Sequence, residues 1–185
     1  MPVDVRATIR VATAEDAERL SELAARTFRE TFAADNTAED MAAYLAATFT
    51  LERQRSELED SRQRVFLLEI DGVAVGYAQL TRSTPHAAVT GEAPIELAIE
   101  LARFYVDGAW HGRGLAQQLM RTVVDEAVRL GARTLWLGVW ERNPRAIAFY
   151  RKHGFVDVGA HPFVLGHDVQ TDRVMQRPLG PPAAE

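Results

Sequence analysis

A strand-to-helix junction built on three glycines, Gly108, Gly112 and Gly114, constrains this chain more than any other feature. An apolar run ends in Phe104-Tyr105-Val106, the glycines follow, and Leu115-Ala116-Gln117 begins a helical pattern. Glycine adopts backbone conformations closed to other residues and lets a ligand approach the main chain. The first helical turn beyond it carries unpaired N–H groups and the positive end of the helix dipole, so the junction suits a phosphate. Beyond it, Leu115, Leu119, Val123, Ala127 and Leu130 recur at helical spacing up to a stop at Gly131. Leu135 to Trp140 is continuously apolar, as a strand buried on both faces is. Asn143-Pro144 then opens a second helix with its cap and first-turn proline in their favoured places, and Gly154 ends it.

The flanking segments complete the pattern. Thr8 to Val11 reads as a short strand. Thr13 and Asp16 mark the start of a helix with Ala17, Leu20, Ala24, Phe28 and Phe32 inward. Thr37 caps a second helix, with Met41, Tyr44, Leu45 and Phe49 inward, and Leu51 to Leu58 is a weaker third. Asp71-Gly72 joins Val65–Leu68 to Val73–Leu80 as a hairpin, and Ser83 to Pro94 is a loop. From Ile95 the residues alternate, with Ile95, Leu97, Ile99 and Leu101 on one face and Glu96 and Glu100 on the other. The apolar side then continues through Ala102, Phe104 and Val106, so the spacing predicts a bulge between about Leu101 and Phe104. Phe155–Val158 and Arg173–Met175 read as strands, Pro162 to Asp172 as a turn region between them, and Gly180 to Glu185 as a loose tail. The order β, helices, ββ, β, α, β, α, β, β describes one α/β domain with a mixed sheet over residues 1–179.

Composition excludes several chemistries. With 185 residues, 47% hydrophobic and 25% charged, the chain suits one globular domain. No apolar run approaches the roughly 20 residues of a membrane helix and no secretory leader is evident, so a soluble cytoplasmic protein is expected. The absence of cysteine removes thiolate nucleophiles, disulfides and cysteine zinc sites. A net charge of −5 argues against nucleic acid as a partner. Glu30, Asp35, Glu39 and Asp40 form an acidic cluster, read as a solvated helix surface with a mouth for a cation as the alternative. His161, His167 and Asp168 lack a further ligand at metal spacing, and no metal is expected.

Two glycine-loop families fail at the junction. A dinucleotide site wants a small residue where Gln117 stands and an acid near Leu135 and Trp136; a P-loop wants Gly-Lys-Ser/Thr where Gly114-Leu115-Ala116 stands. His111-Gly-Arg-Gly-Leu-Ala116, followed by Asn143-Pro-Arg-Ala-Ile-Ala-Phe-Tyr150 and Gly154-Phe155, resembles the two acyl-CoA motifs of the GNAT superfamily of N-acetyltransferases. His111 departs from the arginine or glutamine usual at its position. Thr31–Leu45, Trp136–Glu141 and His161–Asp172 further resemble PaiA-type spermine/spermidine N-acetyltransferases.

The resemblance implies a central, mostly antiparallel mixed sheet, splayed at the acyl-CoA site and flanked by helices. It implies acetyl-CoA as co-substrate, held by Phe104, Tyr105, Val106, His111, Gly112, Arg113, Gly114, Leu115, Ala116, Gln117, Asn143, Ala146 and Tyr150. Arg113, Arg145 and Arg151 are read either as further partners of the CoA phosphates or as plain surface charge. Tyr150 is then the acid that reprotonates the CoA thiolate, and Glu100 the base acting through water, with Glu96 as its substitute. The expected partner is a small-molecule amine, with neither nucleic acid nor membrane, and a homodimer is compatible with it. A peptide or protein amine as acceptor, or a non-catalytic acyl-CoA-binding regulator, stays open at this point.

Overall fold

The structure is a computed structural model that describes residues 7–91 and 93–180, so residues 181–185 of the expected tail lie outside it. In chain order the elements are β1 Ala7–Val11, α1 Ala17–Phe32, α2 Ala38–Thr48, α3 Leu51–Glu59, β2 Gln63–Ile70, β3 Val73–Thr81, β4 Ala98–Val106, α4 Leu115–Arg129, β5 Thr134–Trp140, α5 Pro144–Lys152, β6 Val156–Leu165 and β7 Asp168–Pro178. The strands form one seven-stranded sheet in the order β1-β2-β3-β4-β5-β7-β6. Among the described residues only β4 and β5 run parallel.

Helices cover both faces of the sheet. On one, Leu115, Leu119, Val123 and Ala127 of α4 and Tyr150 of α5 pack on Phe66, Leu68, Ile99, Leu101 and Leu135. On the other, Leu20, Leu23, Ala24 and Phe28 of α1 and Met41 of α2 pack on Val65, Leu67, Tyr77 and Trp140. Coverage on both sides explains why β2, β3 and β5 read as continuous apolar runs. The tight turn between β2 and β3 is the expected one, with positive φ at both Asp71 (48°) and Gly72 (82°).

The expected bulge is present at Ala102. Gln79 lies opposite Arg103 and Leu80 opposite Leu101, which leaves Ala102 without a partner. Beyond it the sheet opens: β4 and β5 pair only where Ala98, Ile99 and Glu100 meet Thr134, Leu135 and Trp136. From there Phe104 to Val106 and Val139 to Trp140 run on without pairing to each other, and a cleft separates them.

Two sequence expectations need correction. Ile95–Leu97 is a 3-10 turn rather than the start of β4, with the Leu97 N–H bound to the Pro94 carbonyl at 3.0 Å. Ile95 and Leu97 are exposed, and Glu96 shares no strand face with Glu100. Alternation over three residues is too short to outweigh a proline that initiates a turn. Pro162 to Asp172 is not a turn region either, since β6 and β7 pair along it and only Gly166-His167 turns. Proline suggested a break, yet β6 is the outermost strand, where a missing N–H is tolerated.

Candidate functional site

The cleft between β4 and β5 holds a cavity of about 710 Å³. Its walls are the end of β4, the glycine junction, the first turn of α5 and the last turns of α1. The residues expected at the ligand line it, except Arg151 and Arg113, the latter with its guanidinium carbon 4.8 Å from the centre of the Trp110 ring. Gly112 and Gly114 have φ of 76° and 78°, and a Cβ on either would meet nothing within 4 Å. Glycine is therefore required here by backbone conformation rather than by crowding, and the space before it stays open. Gly114 is the cap residue of α4 and has no side chain to satisfy that helix, so the first-turn N–H groups at 115–117 have no side-chain cap, and these residues line the cavity.

At α5 the Asn143 side chain accepts from the Ala146 N–H at 3.1 Å, with Pro144 in the first turn. Arg142 and Arg145 project from this region into the cavity lining. His111 bridges the mouth. Its Nε2 lies 2.6 Å from the Val106 carbonyl, and its Nδ1 lies 3.0 Å from an Arg145 nitrogen. With carbonyl and guanidinium as partners, Nε2 carries the proton and Nδ1 accepts. The ring thus occupies the Val106 carbonyl and fixes Arg145 at the rim.

Helix α1 supplies the stretch of wall that the local motifs omit. Glu30 Oε2 accepts from the Gly108 N–H at 3.2 Å, and Arg26 pairs with Asp107 at 3.1 Å, so the helix is tied to the glycine junction. Glu30, Thr31 and Asp35 line the cavity in consequence. The acidic cluster is split by this packing. Asp40 instead receives the His167 backbone N–H at 2.7 Å, and this bond with that of Thr37 holds its carboxyl below the usual range.

Tyr150 is buried in the core and reaches both this cavity and a narrower one of about 160 Å³. Burial pushes its phenol well above the usual value. The narrow cavity shares Thr31, Phe104, Tyr105, Trp140, Asn143 and Ala146 with the wide one and extends toward α1 and α2. Its further walls are aromatic, from Phe28, Phe32, Tyr44, Phe49 and Phe163. Among the described residues two charged ones line it, Arg103 and Asp172, and Arg103 is paired to Glu57 at 2.6 Å.

Glu100 and Glu96 line neither cavity. The Ser83 hydroxyl donates to Glu100 Oε2 at 2.6 Å, which engages that carboxylate beside the loop after β3. Glu100 stands on the paired segment of β4, in its last pair with Trp136 before the strands diverge. Asp168 accepts from the Gln170 amide at 2.9 Å, and His167 turns to Asp40, so the His161, His167 and Asp168 group does not converge. Among the described residues no cluster of three or more histidine, aspartate or glutamate side chains is placed to hold a metal.

The model of the acetyltransferase (GNAT) family matches residues 17–155. An uncharacterized N-acetyltransferase of Mycobacterium tuberculosis is 35% identical over 164 residues, 89% of this chain and 98% of that one. Another, encoded beside pepI in Lactobacillus delbrueckii subsp. lactis, is 33% identical over 153 residues, 83% of this chain and 86% of its own length. Among solved structures, the PaiA N-acetyltransferase of Thermoplasma acidophilum in complex with coenzyme A superposes with a TM-score of 0.74 at 19% identity, covering 94% of this chain and 99% of that one. An N-acetyltransferase of Staphylococcus aureus Mu50 gives 0.70 at 26% identity, covering 95% and 99%.

Proposed function

This chain belongs to the acetyltransferase (GNAT) family, and on that premise we propose that it moves an acetyl group from acetyl-CoA to a primary amine, with polyamines of the spermidine and spermine kind as the acceptor class. The observation that carries the reading is the pair of cavities meeting at the diverging strands, with Tyr150 in the wall of both. One is wide and carries the glycine cradle; the other is narrow and aromatic. The cradle fits a pyrophosphate: open space lies before Gly112 and Gly114, a helix N-terminus faces it, and Arg142 and Arg145 stand at the rim. The unpaired edge of β4 at Phe104 to Val106 offers main-chain groups to the amides of a pantetheine arm, in the manner of an added strand.

The chain has no cysteine, so a thiolate acyl-enzyme is unavailable and the amine attacks the thioester directly. A main-chain N–H at Tyr105 or Val106 would polarise the thioester carbonyl. Tyr150 would supply the proton for the departing thiolate. Its burial keeps the phenol protonated at neutral pH, as a donor must be. For acceptors, Glu30 and Asp35 set carboxylates on the α1 side of the wide cavity while the arginines stand on the α5 side. That division favours a cationic amine approaching past α1.

The test is a comparison of kcat/KM for spermidine, spermine and uncharged-side-chain peptides at low and high ionic strength. Polyamines should be preferred, and their kcat/KM should fall as salt screens the carboxylates. A preference for peptides that is indifferent to salt would contradict the acceptor assignment.

A further inference from the structure

Asp172 is a half-buried carboxylate that the acetyl-transfer reading leaves without a task. It stands on β7, in register with Trp140 of β5 and His161 of β6, and its side chain lines the narrow cavity. Its Oδ1 is fully buried without a hydrogen-bond partner among the described residues. An orphaned carboxylate oxygen in an aromatic pocket is destabilising unless a ligand completes it. Gly138 keeps the space beside it clear: a Cβ there would stand 3.3 Å from Asp172 Oδ2 and 3.0 Å from His161 Nε2.

The charged and titratable groups around Asp172 come from three elements and two loops. His161 of β6 has its Nδ1 2.9 Å from the Pro162 carbonyl, and the His86 ring lies 5.6 Å from the His161 ring. Glu141 follows β5, Tyr44 faces the cavity from α2, and Arg103 of β4 is committed to Glu57. Burial lifts the Asp172 carboxyl to about 6, with His161 opposing and Glu141 reinforcing the rise.

We propose that Asp172 receives the ammonium group of the acceptor in the narrow cavity and takes its proton, acting as the acceptor-side base in the role expected of Glu100. The proposal rests on the acetyl-transfer reading. The ammonium gives one proton to an Asp172 oxygen, and the freed lone pair forms the C–N bond at the thioester carbonyl. As the C–S bond breaks, sulfur takes the Tyr150 proton, and the surplus proton on the new amide nitrogen restores the phenol through water. Asp172 passes its proton to solvent, so an ammonium and a thioester yield an amide, a thiol and one released proton.

The experiment measures thiol release from acetyl-CoA by wild type, Asp172→Asn and Asp172→Glu, with spermidine and with an aromatic amine that is neutral at the assay pH. Acetyl-CoA binding is measured by calorimetry on all three. A base worth the usual factor predicts that Asp172→Asn loses about 100-fold or more in kcat/KM for spermidine, with acetyl-CoA affinity unchanged. The loss should shrink below about tenfold with the neutral amine, which needs no deprotonation before attack. Asp172→Glu should recover some of the spermidine rate, and the acid limb of the wild-type pH profile should vanish in Asp172→Asn. An active wild type with an equally active Asp172→Asn overturns the proposal and leaves acetyl transfer standing. So does an equal loss on both amines, or a loss of acetyl-CoA binding in both variants. A wild type that releases no thiol with any amine overturns the acetyl-transfer reading and this proposal with it.

Discussion

Tyr150 and Asp172 reach one narrow cavity, burial shifts both upward, and the roles proposed for them require opposite protonation states. For the phenol the rise preserves the proton that the proposed acid role requires. Removing that proton in Tyr150→Phe is expected to lower kcat by about 100-fold or more while the calorimetric affinity for acetyl-CoA holds. For Asp172 the rise means that the folded protein keeps a proton the unfolded chain has released. Its contribution to stability therefore falls as pH climbs from the ordinary carboxylate range through about 6. Asp172→Asn removes that penalty and, after allowance for solvent screening, should raise stability at pH 7 by about 1 kcal/mol, read from the denaturant midpoint. Stability gained where activity is lost is the signature of a functional carboxylate. Tyr150 was legible in the sequence because it sits within a contiguous motif ending in Gly154-Phe155. Asp172 was not, since the cavity it lines is built with residues of α1, α2 and β6, and no local spacing records that.

The element scale carries the opening of the site. A bulge at Ala102 and the end of pairing at Glu100 and Trp136 separate β4 from β5, which otherwise lie in one sheet. The phase slip in the apolar pattern predicted that bulge, and the three glycines marked the strand-to-helix junction that lines the cavity. Gly114→Ala should cost about 1–2 kcal/mol of stability, because a side chain at φ 78° is strained. It should also weaken acetyl-CoA binding through the displaced first turn of α4, with calorimetry as the check. Gly138→Val tests the other cavity. Its side chain would meet His161 and Asp172, so amine turnover should fall while acetyl-CoA affinity stays. The two misread segments share one cause. Alternation at Ile95–Leu97 mimics a strand and Pro162 mimics a break, and only the neighbours a segment actually pairs with decide the matter.

At the scale of the whole molecule, α1 must be fixed against the sheet for the cleft to have two walls. Arg10 of β1 binds Asp16 ahead of α1 at 2.7 Å and Glu69 of β2 at 2.9 Å, and Arg19 of α1 binds the same Glu69 at 2.7 Å. The Arg10 guanidinium holds the Asp16 carboxyl down at about 2, below its unfolded value. This contribution is complete above the ordinary carboxylate range and is lost as pH falls toward about 2. Acid unfolding followed by circular dichroism should show it, and Arg10→Ala should flatten the dependence in that window. Element order and helix faces were legible because each rests on local periodicity, whereas the α1 wall joins residues distant in the chain, as Glu30 and Gly108 are. The proposed reaction moves acetyl from a thioester bound on one side of the diverging strands to an amine bound on the other. Its most direct test is the incubation of the protein with acetyl-CoA and spermidine, with free thiol and product mass followed together. The expected result is thiol release that requires both substrates and matches acetylated amine one for one. Tight coenzyme binding without thiol release across polyamines and peptides would contradict it.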